Sequence, residues 1–143
     1  MNDSSVTASG AGLFRSKWVA GLLGLITGSL GLHQWYLGRR FWWLYALIFV
    51  PLMAVALRAD EWFREPTFFL ASLVTLVALF DTIRIGLTPA EKWDPLFNGG
   101  HSQKTKGGTI AVVIAILALM GAAILSMSVL AIFLEGVFLA PSA

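Results

Sequence analysis

The sequence predicts an all-α integral membrane protein with three full transmembrane helices and a short, glycine-rich first helix. Of its 143 residues, 57% are hydrophobic and 13% are charged, and the mean hydropathy is +0.78. A soluble domain is typically about a quarter charged, so this composition indicates a bilayer as the solvent. The apolar residues also fall into long runs separated by polar stretches. A chain of this length has room for few membrane helices and little else, so a separate soluble catalytic domain is not expected.

The apolar runs set the predicted organisation of the chain. Runs at 41–57, 66–87 and 109–134 are long enough to cross a membrane with some tilt. The first run, 18–32, rises only about 22 Å as a helix, against an apolar bilayer core of about 30 Å. The expected units are a disordered tail at 1–14, a membrane domain at 15–87, a basic cytoplasmic loop at 88–108 and an additional transmembrane helix at 109–138.

The distribution of Lys and Arg predicts the topology, because these residues collect in cytoplasmic loops. If the first run enters the membrane and returns, eight of the ten Lys and Arg residues lie on one side. If all four runs cross, the better orientation leaves six on one side and four on the other. The count favours a re-entrant first segment and leaves a spanning one as the alternative. It also predicts a multi-pass protein of the plasma (inner) membrane with a cytoplasmic N-terminus.

Residues 28–38, GSLGLHQWYLG, interrupt the apolar pattern with glycines, a histidine and aromatic residues. We call this stretch the elbow. Together with Lys17, the glycine-rich run before it and the later Asp81, the elbow resembles the signature of the TM-two (two-transmembrane) domain family. The resemblance covers residues of about 16–87. It implies a small helical membrane domain in which both segments cross, which favours the spanning alternative for the first run.

The chain departs from that family pattern at several points. Trp35 stands where the family usually has Phe, the stretch between Gly38 and Asp81 is longer than usual, and a further helix is appended. The family is largely uncharacterised in bacteria. The resemblance therefore implies an architecture and does not imply an activity.

Glycines recur along the first run at positions that share one face of a helix. Such a stripe lets a second backbone approach closely, as small-residue faces do in membranes. Packing within the monomer is the favoured interpretation, and a self-association face or a close ligand approach are the alternatives. The stripe consists of Gly21, Gly24, Gly28 and Gly31.

Asp81 and Arg84 are charges inside an apolar run, where they are costly unless they face protein or water. The antiparallel course of the second and third runs brings the elbow to the same membrane face as Asp81. We therefore expect the elbow to dock on the end of the third helix and to satisfy Asp81 together with Arg84. The predicted polar latch consists of His33, Gln34, Tyr36, Asp81 and Arg84.

Nothing in the sequence has the pattern of a catalytic site. No nucleophile stands near a base, no glycine-rich loop resembles a phosphate cradle, and the chain has no cysteine. His33 and His101 lack partners at ligand spacing, so no metal or cofactor is expected. The leading expectation is a structural or accessory membrane protein, not an enzyme. The alternative is a small oligomeric transporter or channel using Asp81, Arg84 and His33.

The expected partners follow from the same features. The bilayer is the main one, and the basic loop suits the anionic lipids of the inner leaflet, with about 1 kcal/mol gained per Lys near the surface. Its lysines are too sparse for nucleic acid. A second copy of the chain or a larger membrane complex completes the expected set.

Overall fold

The prediction of an all-helical fold is confirmed. The computed structural model describes residues 14–105 and 108–139, of which 77% are helical and none lie in strands. The predicted tail therefore lies outside the described residues except for Phe14, as do residues 106–107 of the basic loop. The α-helices are α1 (Lys17–Thr27), α2 (Leu32–Tyr36), α3 (Trp43–Ala56), α4 (Pro66–Leu87), α5 (Ala90–Phe97) and α6 (Thr109–Phe138).

An antiparallel pair of helices, α4 and α6, forms the frame of the molecule. At one end Gly86 lies against the backbone of Ala111, and at the other the rings of Phe69 and Phe133 pack edge to face at 6.0 Å. Small side chains on α6 allow this close approach along a single face. The residues of that face buried against the rest of the chain are Ala111, Ile114, Ala115, Ala118 and Ala122.

Two of the helices are long and apolar enough to span a membrane, namely α4 with 22 residues and α6 with 30. Helix α3 covers most of the second run, 41–57. It has 14 residues and begins at Trp43. It contains Pro51 and runs beside α4. Its rise of about 21 Å is less than the apolar thickness of a bilayer.

The first segment folds back on itself. Helix α1 ends at Thr27, a 3₁₀ turn covers Gly28–Leu30, and Gly31 adopts the left-handed conformation with φ 77°. Helix α2 then runs back towards the start of α1. At its end the Tyr36 hydroxyl accepts a 2.8 Å hydrogen bond from the backbone N–H of Ser16. Both ends of the segment therefore lie at the same end of the helix bundle.

The region predicted as a basic loop is folded into this end of the bundle. Residues 88–91, Thr-Pro-Ala-Glu, have the pattern of a capping box, which predicts a short surface helix capped by Thr88. Helix α5 does begin at Ala90. Thr88 does not cap it, because its hydroxyl donates back to the carbonyl of Arg84 at 2.6 Å. Trp93 is only 1% exposed and packs with Ala20, Leu37 and Ile85. The helix therefore supports the start of α1 as well as lying on the surface.

Charged residues differ between the two ends of the bundle. We call the end that holds the termini of the first segment the basic end and the opposite one the acidic end. At the acidic end Arg64 pairs with Glu61 at 3.3 Å and with Glu135 at 3.0 Å, which joins the start of α4 to the end of α6. The described Lys and Arg of the basic end are Arg15, Lys17, Arg39, Arg40, Arg84, Lys92 and Lys104.

Candidate functional site: a polar cluster between the elbow and α4

Asp81 is the centre of a polar cluster where α4 meets the elbow. Its Oδ2 accepts hydrogen bonds from Gln34 Nε2 at 2.6 Å and from the Tyr45 hydroxyl at 2.7 Å. Its side chain is 22% exposed, and His33 Nε2 lies 3.7 Å from the same oxygen. Hydrogen bonds to an ionised acceptor are stronger than neutral ones. The cluster therefore joins three separate elements, α2, α3 and α4, through one carboxylate.

The Gln34 amide determines which ring nitrogen of neutral His33 carries the proton. A carboxylate only accepts hydrogen bonds, so the group that faces Asp81 must be the amide nitrogen. The same nitrogen lies 3.1 Å from His33 Nε2, which then accepts its second hydrogen. Neutral His33 consequently carries its proton on Nδ1. Within the described part of the chain, His33 Nδ1 and Gln34 Oε1 are buried without a hydrogen-bond partner.

The structure brings His33 and Gln34 to Asp81, whereas Tyr36 and Arg84 form no hydrogen bond or ion pair with its carboxylate. Tyr36 holds the elbow to the start of α1, since its hydroxyl bonds Ser16 and its carbonyl accepts from Arg15 Nε at 3.1 Å. Among the described residues, Arg84 forms no ion pair with Asp81 within 4.0 Å.

Tyr45 is the member of the cluster that sequence reasoning missed. It lies on α3 and its ring packs edge to face with His33, with centroids 5.5 Å apart. One signal could have found it. A tyrosine hydroxyl inside an apolar run needs a polar partner, and Asp81 is the only acidic residue within the neighbouring run at 66–87.

A second set of contacts, also missed from the sequence, clamps the residue before α1. The backbone carbonyl of Arg15 accepts hydrogen bonds from Trp93 Nε1 at 3.0 Å and from Asn98 Nδ2 at 3.1 Å. The backbone N–H of Arg15 donates to Asn98 Oδ1 at 2.8 Å. Further along, the Thr105 hydroxyl donates to Asp94 and lowers the pKa of that carboxyl below its ordinary value. The bonds of Trp93 and Asn98 fasten α5 and its end to the start of the first segment. The bonds of Thr105 fasten the following loop to α5.

The glycine stripe faces other helices of the same chain. A methyl group on Gly21 would lie 3.3 Å from Ile114 Cγ2 of α6, and one on Gly28 would lie 2.8 Å from Ala78 Cβ of α4. A methyl group on Gly24 would overlap the Thr82 hydroxyl. Gly31 is not on the helical face, because it forms the left-handed turn after the 3₁₀ segment.

Replacement of Gly28 by Leu is expected to lower the free energy of unfolding by about 3 kcal/mol, because the added bulk separates α1 from α4. Leu25→Ile, which conserves volume on α1 three residues earlier, is expected to cost about 1 kcal/mol or less. Unfolding in mixed detergent micelles measures both. Equal loss in the two variants would show that close contact at Gly28 is unimportant.

The chemical capacity of the cluster is limited. Among the described residues no group of three or more His, Asp or Glu side chains is placed to hold a metal ion. The cluster contains a single carboxylate, and both of its identified donors come from the same chain. Such an arrangement can hold helices together through hydrogen bonds to one carboxylate.

The fold and the cluster define a class of small all-helical proteins with two long apolar helices and a polar elbow. Comparison with known proteins adds no closer assignment. No family model matches the chain, and no curated protein and no solved structure matches it either.

Proposed function

We propose that this chain is a small integral membrane protein of structural or accessory type that packs against a transmembrane helix of a partner chain. Helices α4 and α6 supply the membrane frame. Of the most apolar 18 residues of each helix, only 33% in α4 and 28% in α6 are buried inside the protein. A core helix of a soluble protein is mostly buried. Lipid and a partner helix would cover the remainder.

The proposed topology follows from the charges at the two ends. With the basic end in the cytoplasm, the first segment is re-entrant, α4 and α6 cross, and the N-terminus is cytoplasmic. The second run crosses over its full length, 41–57, because α3 by itself, with 14 residues, is shorter than the apolar core. This places Arg58 and Arg64 outside together with Asp60, Glu61 and Glu65, in agreement with the preference of Lys and Arg for cytoplasmic loops. The inner membrane of the cell is the proposed location, with anionic inner-leaflet lipids at the basic end.

Single-cysteine labelling tests this topology, and the lack of native cysteine gives a clean background. An impermeant thiol reagent added to intact cells or spheroplasts is expected to label Glu61→Cys. Ser5→Cys and Arg40→Cys, which bracket the first segment, should react only after permeabilisation. Labelling of Ser5→Cys and Arg40→Cys from opposite sides would show that the segment spans.

The observation that carries the packing role is an open apolar groove between α4 and α6. The groove has a volume of about 870 Å³ and lies in the acidic half of the bundle. At its mouth Arg64 is already paired with two carboxylates, so the groove offers shape and apolar surface instead of a free charge. Membrane helices associate mainly through van der Waals packing in such surfaces. Residues along its walls include Phe69, Leu70, Leu73, Ser126, Leu130 and Phe133.

Filling the groove tests this role. Ser126→Trp places a large ring in the groove, and Ile124→Trp places the same ring at an exposed position, 64% accessible, outside the groove lining. Tagged protein purified in mild detergent should retain its partner helix, from a second copy or another protein, in the wild type and Ile124→Trp. Ser126→Trp should lose it. Equal association of all three would overturn the proposed groove contact.

The alternative function is an oligomeric transporter or channel that uses Asp81, Arg84 and His33. Asp81 lies six residues from the end of α4, or about 9 Å along the axis, and the groove beyond it is apolar. A polar path would therefore need residues from several copies. Proteoliposome flux separates the two functions: ion or solute flux that disappears in Asp81→Asn would favour transport over the accessory role.

We also propose that the resemblance to the TM-two domain family reflects shared architecture in residues of about 16–87. The elbow motif has physical reasons in this chain. Gly31 and Gly38 have φ of 77° and 71°, which favour glycine, and His33 is fully buried. The clustering of these requirements around Asp81 supports the proposal.

A further inference from the structure

Two cavities adjoin the polar cluster on its exposed side. One has a volume of about 440 Å³ and the other about 200 Å³, and both are lined by Gln34, Arg39 and Asp81. Arg40 and Tyr45 complete the polar lining of the larger one. Arg84 and Thr88 line the smaller one beside Trp93. We call these the headgroup cavities.

The headgroup cavities combine cations with a free acceptor. In the described part of the chain, Arg39, Arg40 and Arg84 have no carboxylate within 4.0 Å. Asp81 uses Oδ2 for both of its hydrogen bonds, and its Oδ1 accepts none from the described residues. A ligand that matches this lining carries both an anionic group and an N–H donor.

The position of the cavities favours a lipid as the source of that ligand, an argument that rests on the proposed membrane placement. They lie at the basic end, where α4 ends. Exposed apolar side chains border each cavity, namely Phe41 and Leu44 at the larger one and Leu96 at the smaller one. A headgroup in the cavities would have its acyl chains beside these residues.

We propose that the headgroup cavities bind an aminophospholipid, whose headgroup is a phosphate diester carrying a primary ammonium. Arg39 and Arg84 bind the phosphate oxygens, a pairing for which the guanidinium fork is well suited. The ammonium, with three N–H donors, binds Asp81 Oδ1, on a side chain that is 22% exposed. A trimethylated amine has no N–H to donate. An anionic headgroup without an amine leaves the Asp81 carboxylate facing a second negative charge.

The test uses full-length protein purified in detergent and stripped of lipid, with binding followed by native mass spectrometry. Phosphatidylethanolamine, phosphatidylcholine and phosphatidylglycerol with identical acyl chains are the probes. The wild type is expected to bind phosphatidylethanolamine at least tenfold more tightly than either of the others. The double variant Arg39→Gln, Arg84→Gln should lose this tight binding. Arg58→Gln at the acidic end is the matched control and should keep it.

Each contrary result overturns the inference in a defined way. Equal binding of the three lipids would show that the site attracts lipid without headgroup selectivity. Preference for phosphatidylglycerol would show that it attracts anionic headgroups in general. Unchanged binding in the double variant would place the lipid elsewhere. Soluble phosphoethanolamine binding as tightly as the lipid would show that the site is not selective for membrane lipid.

The membrane proposal itself is tested separately, by extraction of cell membranes at alkaline pH. Release of the chain into the supernatant would reject membrane integration. Retention in the pellet combined with absent headgroup selectivity would reject only the lipid site.

Discussion

Gly86→Ala is expected to lower the free energy of unfolding by about 2 kcal/mol, although alanine is the better helix former. The added methyl group would meet Ala111 O and Ala115 Cβ at 2.5 Å each, where the end of α4 packs against the start of α6. One of these atoms belongs to backbone, so relief requires the helices to separate. Overpacking of this kind typically costs about 1–3 kcal/mol.

Gly136→Ala is the matched control for this prediction. It introduces the same methyl group within α6, where nothing lies within 4 Å of the new atom. The gain in helix propensity relative to glycine is about 1 kcal/mol at either position, so the difference between the variants isolates the helix contact. Unfolding in mixed micelles measures it. Equal stabilities would mean that α4 and α6 do not touch at Gly86.

Asp81→Ala is expected to be comparably damaging, with a loss of about 3 kcal/mol. The substitution leaves the buried Gln34 amide and the Tyr45 hydroxyl without their acceptor, and each unpaired buried group costs about 1–3 kcal/mol. The elbow would also lose its connection to α4 and α3. Thermal unfolding in detergent, with tryptophan fluorescence as the signal, provides the measurement.

A double-mutant cycle assigns this loss to particular partners. Tyr45→Phe removes only the hydroxyl, so its effect should largely disappear in the Asp81→Ala background, with a coupling energy of about 1.5 kcal/mol or more. Arg84→Ala should be additive with Asp81→Ala, because the two side chains form no ion pair. Coupling to Arg84 without coupling to Tyr45 would restore the latch predicted from the sequence and contradict the observed cluster.

The four apolar runs follow from composition and spacing alone. Burial of backbone polar groups in an apolar solvent requires helices, and the positions of Lys and Arg separate the two ends of the bundle. The proximity of the elbow to Asp81 is also a consequence of sequence. Two antiparallel helices of known length place residues 41 and 84 at the same end, and a carboxylate there needs donors.

The tertiary structure decided which donors reach Asp81. Helix rotation and crossing determine whether a side chain points to its neighbour, and a single sequence specifies neither. Tyr45 therefore replaces Arg84 as the second donor beside Gln34. The same reason explains Trp93: its helix looks like a surface element, and only its placement beneath Ala20 buries it.

The glycines show the same division between local and tertiary information. Spacing places Gly21, Gly24 and Gly28 on one face of the first helix, and that face lies against α4 and α6. Gly31 shares the spacing but belongs to a turn, because the 3₁₀ segment that continues the helix ends at Leu30 and Gly31 is left-handed. Gly86, where α4 packs against the start of α6, has no periodic partner in its own segment. Periodicity thus determined which residues share a helical face, whereas the approach of a second backbone, set by packing of the whole bundle, decided which glycines are indispensable.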